Sequence, residues 1–226
     1  MRSMKKTMNR VFAITIAVTI INLIASIIFI LRLPDTVPVH FDFNLVCDRV
    51  GSRWNGIVPS AILLLLVPIY YFTERNGSNC DKNSKPMSIV LIFTDFFIVA
   101  VNWLLLVLMD SGAKIGDRMT IKFDWMMMLL LSFLFIVLGN YMPTVRQNKT
   151  LGIKLPWTLK NEKCWNLTHR FSGKVYVAAG FVTLAVTMAM KIFNIKMVWA
   201  FALYVCIILP CVLILPTAFA YKHRND

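Results

Sequence analysis

Residues 87–109 read MSIVLIFTDFFIVAVNWLLLVLM, and this stretch decides the fold. It carries one ionisable group, Asp95, in an otherwise apolar run broken only by small polar or amide side chains. A helix needs about 20 such residues to cross a hydrocarbon core about 30 Å thick. Five further runs have the same character: Val11–Leu31, Ile57–Phe72, Trp125–Met142, Val175–Met190 and Met197–Phe219. The runs are continuous rather than alternating, which predicts helices and not barrel strands. Of the 226 residues 58% are hydrophobic, above the range of a soluble domain. The expected fold is all-α: a polytopic membrane protein with six transmembrane helices. Lys191 and Lys196 bracket a tight turn, Ile192–Ile195, between the last two.

Lysine and arginine set the orientation. With the N-terminus in the cytoplasm, segments 2–10, 75–85, 146–174 and 222–224 lie inside and hold 16 of the 24 basic residues. Segments 32–53, 114–122 and 191–196 lie outside and hold the other 8. Both termini are therefore expected inside, and most of the net charge of +13 belongs to the cytoplasmic face. A cation near anionic lipid contributes on the order of 1 kcal/mol, so membrane lipids are the implied partner. No nucleic-acid motif accompanies the charge, and direct nucleic-acid binding is not expected. The basic N-terminus and its apolar run imitate a signal peptide, but the run is too long and Leu31-Arg32-Leu33-Pro34 follows it instead of a cleavage site. An uncleaved first span is expected.

The largest inside segment, Arg146–Lys174, reads RQNKTLGIKLPWTLKNEKCWNLTHRFSGK. Seven cations (Arg146, Lys149, Lys154, Lys160, Lys163, Arg170 and Lys174) stand against one anion, Glu162. Pro156-Trp157-Thr158 turns the chain, and Trp157 suits the headgroup layer. Asn161 is placed to N-cap a helix whose first turn carries Glu162. Cys164, Leu167, Thr168 and Phe171 fall on one side of that helix with Trp165 beside them, and Lys160, Lys163, Asn166 and Arg170 lie elsewhere. The pattern predicts an interfacial amphipathic helix leading into span five, with a bend at Ser172-Gly173. Trp157, Thr158, Lys160, Lys163, Trp165, His169 and Arg170 are candidates for docking a partner or contacting the interface; anchoring of the loop is the alternative. His169-Arg170 has no nucleophile or acid at recognisable spacing, and no P-loop, H-E-x-x-H or G-x-S-x-G occurs. The chain is not expected to be an enzyme.

The first outside loop, Leu33–Trp54, reads LPDTVPVHFDFNLVCDRVGSRW. Pro34 and Pro38 hold the chain extended. His40, Asp42 and Asp48 are metal-ligand types, but their spacing matches no standard metal box. Recognition of an external ligand, with Arg49 as a fourth member, and a plain surface loop with an Asp48–Arg49 turn are the other readings. No cofactor is expected. Cys47 is placed outside, Cys80 and Cys164 inside, and Cys206 and Cys211 within the last span, so no structural disulfide is expected. The sequons at Asn76, Asn148 and Asn166 fall inside and read as chance matches.

Two stretches resemble known families. Pro38-Val39-His40-Phe41-Asp42, followed by Asp48, Gly51-Ser52 and Arg53, resembles the signature loop of a bacterial membrane domain of unknown function. That domain usually has glycine three residues before the loop aspartate, where this chain has Leu45. Gly139-Asn140-Tyr141-Met142-Pro143, Asn148, Gly152-Ile153, Pro156-Trp157-Thr158, Trp165, Thr168-His169-Arg170 and Gly173 resemble the hallmark of the SdpI family. With the six-span layout the similarity covers nearly the whole chain. The resemblance implies a bacterial integral-membrane immunity protein that protects its cell from a secreted, membrane-active toxin peptide. It also implies a relay of the peptide's presence by holding a cytoplasmic transcriptional repressor at the membrane. Three regions follow: a two-span unit over 1–75, a polar cytoplasmic hinge over 76–86 and a four-span SdpI-like unit over 87–226.

Asp95 lies about 12 Å into span three at about 1.5 Å per residue. A carboxylate at such depth is a functional candidate. Asn102 lies two turns further on the same face, and Asn22 on span one is placed to extend a polar seam; Asn140, near the end of span four, is a further intramembrane polar group. Interhelical hydrogen bonding is one reading of the seam. A small proton-coupled transporter or exporter working through Asp95 is the alternative function. Ala178, Gly180, Ala185 and Ala189 predict close helix packing along span five.

Overall fold

The structure, a computed structural model, describes residues 2–42, 44–75, 80–118, 123–196 and 198–225. Helix α1 spans Arg2–Ile30. A β-hairpin follows, with β1 at Thr36–Phe41 and β2 at Cys47–Ser52. After a 3-10 turn, α2 runs Val58–Arg75 and α3 runs Cys80–Met109. Helix α4 is Phe123–Tyr141, the short α5 is Pro156–Lys160 and α6 is Glu162–Ile192. The last span combines α7, Val198–Leu203, a π turn over Tyr204–Ile208, and α8, Leu209–Lys222. These elements supply six helices long and apolar enough to cross a membrane.

The distribution of polar groups is that of a protein dissolved in lipid. Ile14, Ile21, Leu65, Phe181 and Ile214 are more than half exposed. Buried positions instead hold Thr19, Asn22, Ser26, Ser60, Asn102, Ser132, Thr183 and Thr187. Lipid tails solvate leucine as well as a neighbouring helix does, so small and hydrogen-bonding side chains turn inward. Among the described residues the helices pack as two groups of three: α1, α2 and α3, then α4, α6 and α8, joined along α3 and α4. The polar stretch 80–86, expected as part of a hinge, is instead the start of α3, and Asn83 there is fully buried; residues 76–79 lie outside the described residues.

Helix α6 is the axis of the second group. It is unbroken for 31 residues through Ser172 and Gly173, where a bend was expected. Gly173 has a different purpose. A Cβ there would sit 2.7 Å from the carbonyl oxygen of Gly139 on α4, and one on Gly139 would sit 2.6 Å from the backbone N of Val177. The two backbones touch at this crossing. Ala178 and Ala185, expected at a tight interface, face outward, and the packed stripe is Gly173, Gly180, Thr183 and Thr187. The stretch expected as an interfacial helix leading into span five is helical and forms the first turns of the same rod, without a break before the span. In the last span the Leu209 N–H donates to the Tyr204 carbonyl, five residues back. Pro210, the next residue, has no N–H to give, which accounts for the local widening.

Among the described residues, the outer loop is where paired strands interrupt the helices. Val37, Val39 and Val50 favour strand, and the hairpin pairs Thr36 with Ser52 and His40 with Arg49, with a bulge between Pro38 and His40. Val37 and Leu33 pack onto Ile30, Leu106 and Met109 at the ends of α1 and α3. Arg53 fastens the base, donating from Nη1 to the Leu33 carbonyl at 2.8 Å and pairing with Asp35 at 3.3 Å. Cys47, placed on the outside loop, is 1% exposed, and its backbone is bonded to the loop between α3 and α4.

Candidate functional site

Three polar constellations are spread along the bundle. At the hairpin end, Asp42 organises the turn. Its Oδ1 accepts the N–H groups of Asn44 and Val46, each at 2.8 Å. The Val46 N–H is the main cause of an Asp42 pKa below the usual carboxylate value. Leu45, where the related loop carries glycine, sits at φ +60°, the left-handed region that glycine adopts freely. Asp48 lies on β2, not in a turn, and its carboxylate meets His40 Nδ1 at 2.6 Å. Arg49 is exposed on β2.

The loop between α3 and α4 reaches this hairpin. The Cys47 N–H donates to the Asp117 carbonyl at 2.9 Å, and the Gly116 N–H donates to the Cys47 carbonyl at 2.8 Å. The two halves of the chain thereby enclose a cavity of about 710 Å³. Its walls take His40, Phe41, Asp42, Leu45 and Asp48 from the hairpin. Arg118 and Asp124 come from the α3–α4 region, and Lys196 from the turn before α7. Met127, Met128, Val198 and Phe201 form an apolar floor. Three of the four outer-loop candidates thus line one site, and Arg49 does not. Sequence reading missed Arg118, Asp124 and Lys196. Each is unremarkable in its own segment, and only the fold brings them together.

Within the helices, Thr19 Oγ1 donates to Asp95 Oδ1 at 3.0 Å. Nearer the hairpin, Asn22 Nδ2 donates to Ser60 Oγ at 2.8 Å and Asn22 Oδ1 accepts from Trp103 Nε1 at 2.9 Å. Asn102 Nδ2 donates to Ser26 Oγ at 2.9 Å. Thr15, Thr19, Asn22 and Ser26 recur at helical spacing on α1, which is why one face of it meets both α2 and α3. Asn22, Asp95 and Asn102 are all buried, and Asn140 is exposed near the end of α4, outside this set. The seam is a chain of interhelical hydrogen bonds. Neither the large cavity nor a second one of about 640 Å³ beside Pro34 and Ile115 is lined by it.

The basic end is closed. Trp165 and His169 are both fully buried and stacked, ring centroids 4.0 Å apart. Trp165 Nε1 donates to the Val145 carbonyl at 2.8 Å. His169 Nε2 accepts the Ile153 N–H at 3.1 Å, which leaves Nδ1 to donate to the Trp165 carbonyl at 2.8 Å. Both ring nitrogens are therefore committed in one tautomer. Gly152 crosses over this pair at φ +117°, and a Cβ there would overlap His169 Nε2. Thr158 is buried too: its hydroxyl accepts the Leu155 N–H and lies 2.7 Å from the Ile153 carbonyl. Asn148 holds the loop's centre, accepting from the N–H groups of Thr150 and Leu151 and donating to the Arg146 carbonyl. Asn83 of α3 clasps Arg146 through both its N–H and its carbonyl. Asn161 caps α6 as expected, accepting from Lys163 and Cys164.

Trp165, His169 and Thr158 are therefore parts of a folded cap and offer no surface to a partner. Trp157 is half-buried, edge-on to Tyr221 at 5.6 Å. Lys160, Lys163 and Arg170 are exposed, and with Arg146, Lys149, Lys154 and Lys174 they clothe the cap in positive charge.

Six spans, a cap at one end and a cavity at the other define a multi-pass membrane protein. Residues 144–218, the cap and the last two spans, match the SdpI/YfhL protein family, and residues 17–68 match a domain of unknown function (DUF1648). Immunity protein SdpI of Bacillus subtilis (strain 168) is 28% identical over 172 residues, covering 75% of this chain and 77% of that protein. In its last two spans and over most of its length the chain is thus similar to members of the SdpI family. No solved structure matches it.

Proposed function

We propose that the protein protects its cell against a secreted, membrane-active toxin peptide. The observation that carries this reading is the similarity to an immunity protein over three quarters of the chain, running through both ends of the bundle. The charge bias supports an external position for the hairpin end and a cytoplasmic one for the basic end. The toxin is then met beside His40, Asp42 and Asp48, and the protein acts by binding, not by catalysis. The exposed side chains of Lys160, Lys163 and Arg170 form the surface that would hold a cytoplasmic repressor at the membrane. Such a division of labour makes protection and relay separable.

The test is survival of toxin-sensitive bacteria, with and without the protein, under a panel of secreted membrane-active peptides that includes the Sdp toxin. Protection against at least one peptide is expected. Equal killing across the panel, with the protein present in the membrane, overturns the reading. Lys160→Ala, Lys163→Ala and Arg170→Ala together are expected to keep survival and to lower membrane recruitment of the repressor. Loss of both at normal protein level would leave the cap surface without a docking role.

A further inference from the structure

The cavity at the hairpin end has a chemical character that the family relationship does not assign. Its floor is apolar: Met127 is unbranched and flexible, Met128 backs it from the core at 2% exposure, and Phe201 stands 45% exposed beside Val198. Its volume of about 710 Å³ lies in the range of about 300–1,000 Å³ that suits a ligand of a few residues rather than a folded domain. The walls come from the hairpin, the start of α4 and the approach to α7, so a ligand seated there touches both halves of the bundle.

Charge narrows the choice of ligand. The cavity carries three carboxylates, Asp42, Asp48 and Asp124, against two permanent cations, Arg118 and Lys196. In a chain of net charge +13 this is a local acidic surplus. Two of the carboxylates are already engaged, Asp48 by His40 and Asp42 by its own turn. Asp124 is different. Its Oδ1 accepts the adjacent Trp125 N–H at 2.7 Å, and Oδ2 has no hydrogen-bond or ion-pair partner among the described residues. A carboxylate oxygen above an apolar floor is the counterpart of a lysine or arginine flanked by large apolar side chains. That pattern defines basic amphipathic peptides that insert at membrane surfaces.

We infer that this cavity binds a basic amphipathic peptide segment, apolar side chains against Met127, Met128, Val198 and Phe201 and a cationic one on Asp124. The inference rests on the proposed immunity function and gives it a site: the toxin is captured by a short segment at the outer rim of the bundle.

The probe is a fluorescein-labelled amphipathic peptide of leucine and lysine, with a leucine–glutamate peptide of the same pattern as its counterpart. Anisotropy is read on the full-length protein in nanodiscs of zwitterionic lipid, with empty nanodiscs subtracted. Wild type is expected to bind the lysine peptide and to prefer it over the glutamate peptide. Asp124→Lys is expected to weaken the lysine peptide by about tenfold or more, the size of a lost charge-assisted contact, and to narrow the preference. Asp124→Asn and Phe201→Ala, which disturb the fold least, are expected to weaken it by smaller factors. No binding above empty nanodiscs, no preference by charge, or binding untouched by any of the three variants overturns the inference. Cell survival separates the two readings. Protection without peptide binding removes the cavity's role and leaves immunity standing. Binding without protection leaves the site and removes the immunity reading.

Discussion

The two ends of the bundle are built on opposite plans. At the basic end the central polar groups are turned inward and paired: Asn148, Thr158, Trp165 and His169 hold the backbone between Val145 and Leu155, and the last two stack on each other. At the hairpin end His40 pairs with Asp48, Arg53 with Asp35 and Asp42 with its own turn, but Arg118, Asp124 and Lys196 line an open cavity. The end with the denser motif is the more structural one. A buried, cooperative hydrogen-bond network tolerates few changes. A binding cavity needs only the right mixture of floor and rim, and so leaves a fainter trace in sequence.

The contrast is open to attack by mutation. Trp165→Ala should be the most damaging change, costing about 3–5 kcal/mol for a fully buried ring, read as thermal unfolding in detergent. A loss no larger than that of Phe201→Ala would erase the difference between the ends. Asp95→Lys removes the acceptor of the Thr19 hydroxyl and buries an unpaired cation between α1 and α3, and should sharply lower membrane accumulation. Asp95→Asn keeps a partner for Thr19 and should accumulate normally. If it accumulates but protects no longer, the carboxylate's charge matters and the seam is more than packing. Asn148→Ala unties two loop N–H groups and should cost about 1–3 kcal/mol, again by thermal unfolding.

Leu45→Gly sharpens the comparison from the other side. It relieves a left-handed leucine worth about 1–2 kcal/mol, less about 0.4–1 kcal/mol of added chain entropy. A small gain in stability at the hairpin end is expected, and a loss would mean that the leucine side chain anchors the turn.

The spans were legible because length and continuity of apolar residues suffice to place a helix in lipid. Asn161 was legible as a cap because an amide ahead of an acidic first turn has few other uses. The substitution of leucine at position 45 pointed to an unusual turn, and the backbone there is left-handed. Other features were hidden. Asn148 sits in a chance sequon, and nothing local marks it as a loop's centre. The polar stretch after residue 79 looks like a hinge, yet Asn83 is buried because a carbonyl and an N–H of Arg146 arrive from far along the chain. Periodicity placed Trp165 at the flank of a surface helix and left His169 unassigned; a loop folding back over α6 buries both. Arg118, Asp124 and Lys196 become a site only through tertiary contact.

The length of α6 carries a mechanical consequence. Its 31 residues measure about 46 Å at about 1.5 Å each. Lys174 and Lys191 are separated by about 26 Å of that rise, close to the thickness of a hydrocarbon core of about 30 Å. The first turns of the helix therefore rise above the lipid like a mast, stiffened by the stacked rings of Trp165 and His169. Lys163, on its first turn, lies about 16 Å of rise beyond Lys174, and Lys160 ends α5 just before it. The head of the mast is therefore positively charged, and Arg170 and Lys174 are exposed on the turns below it.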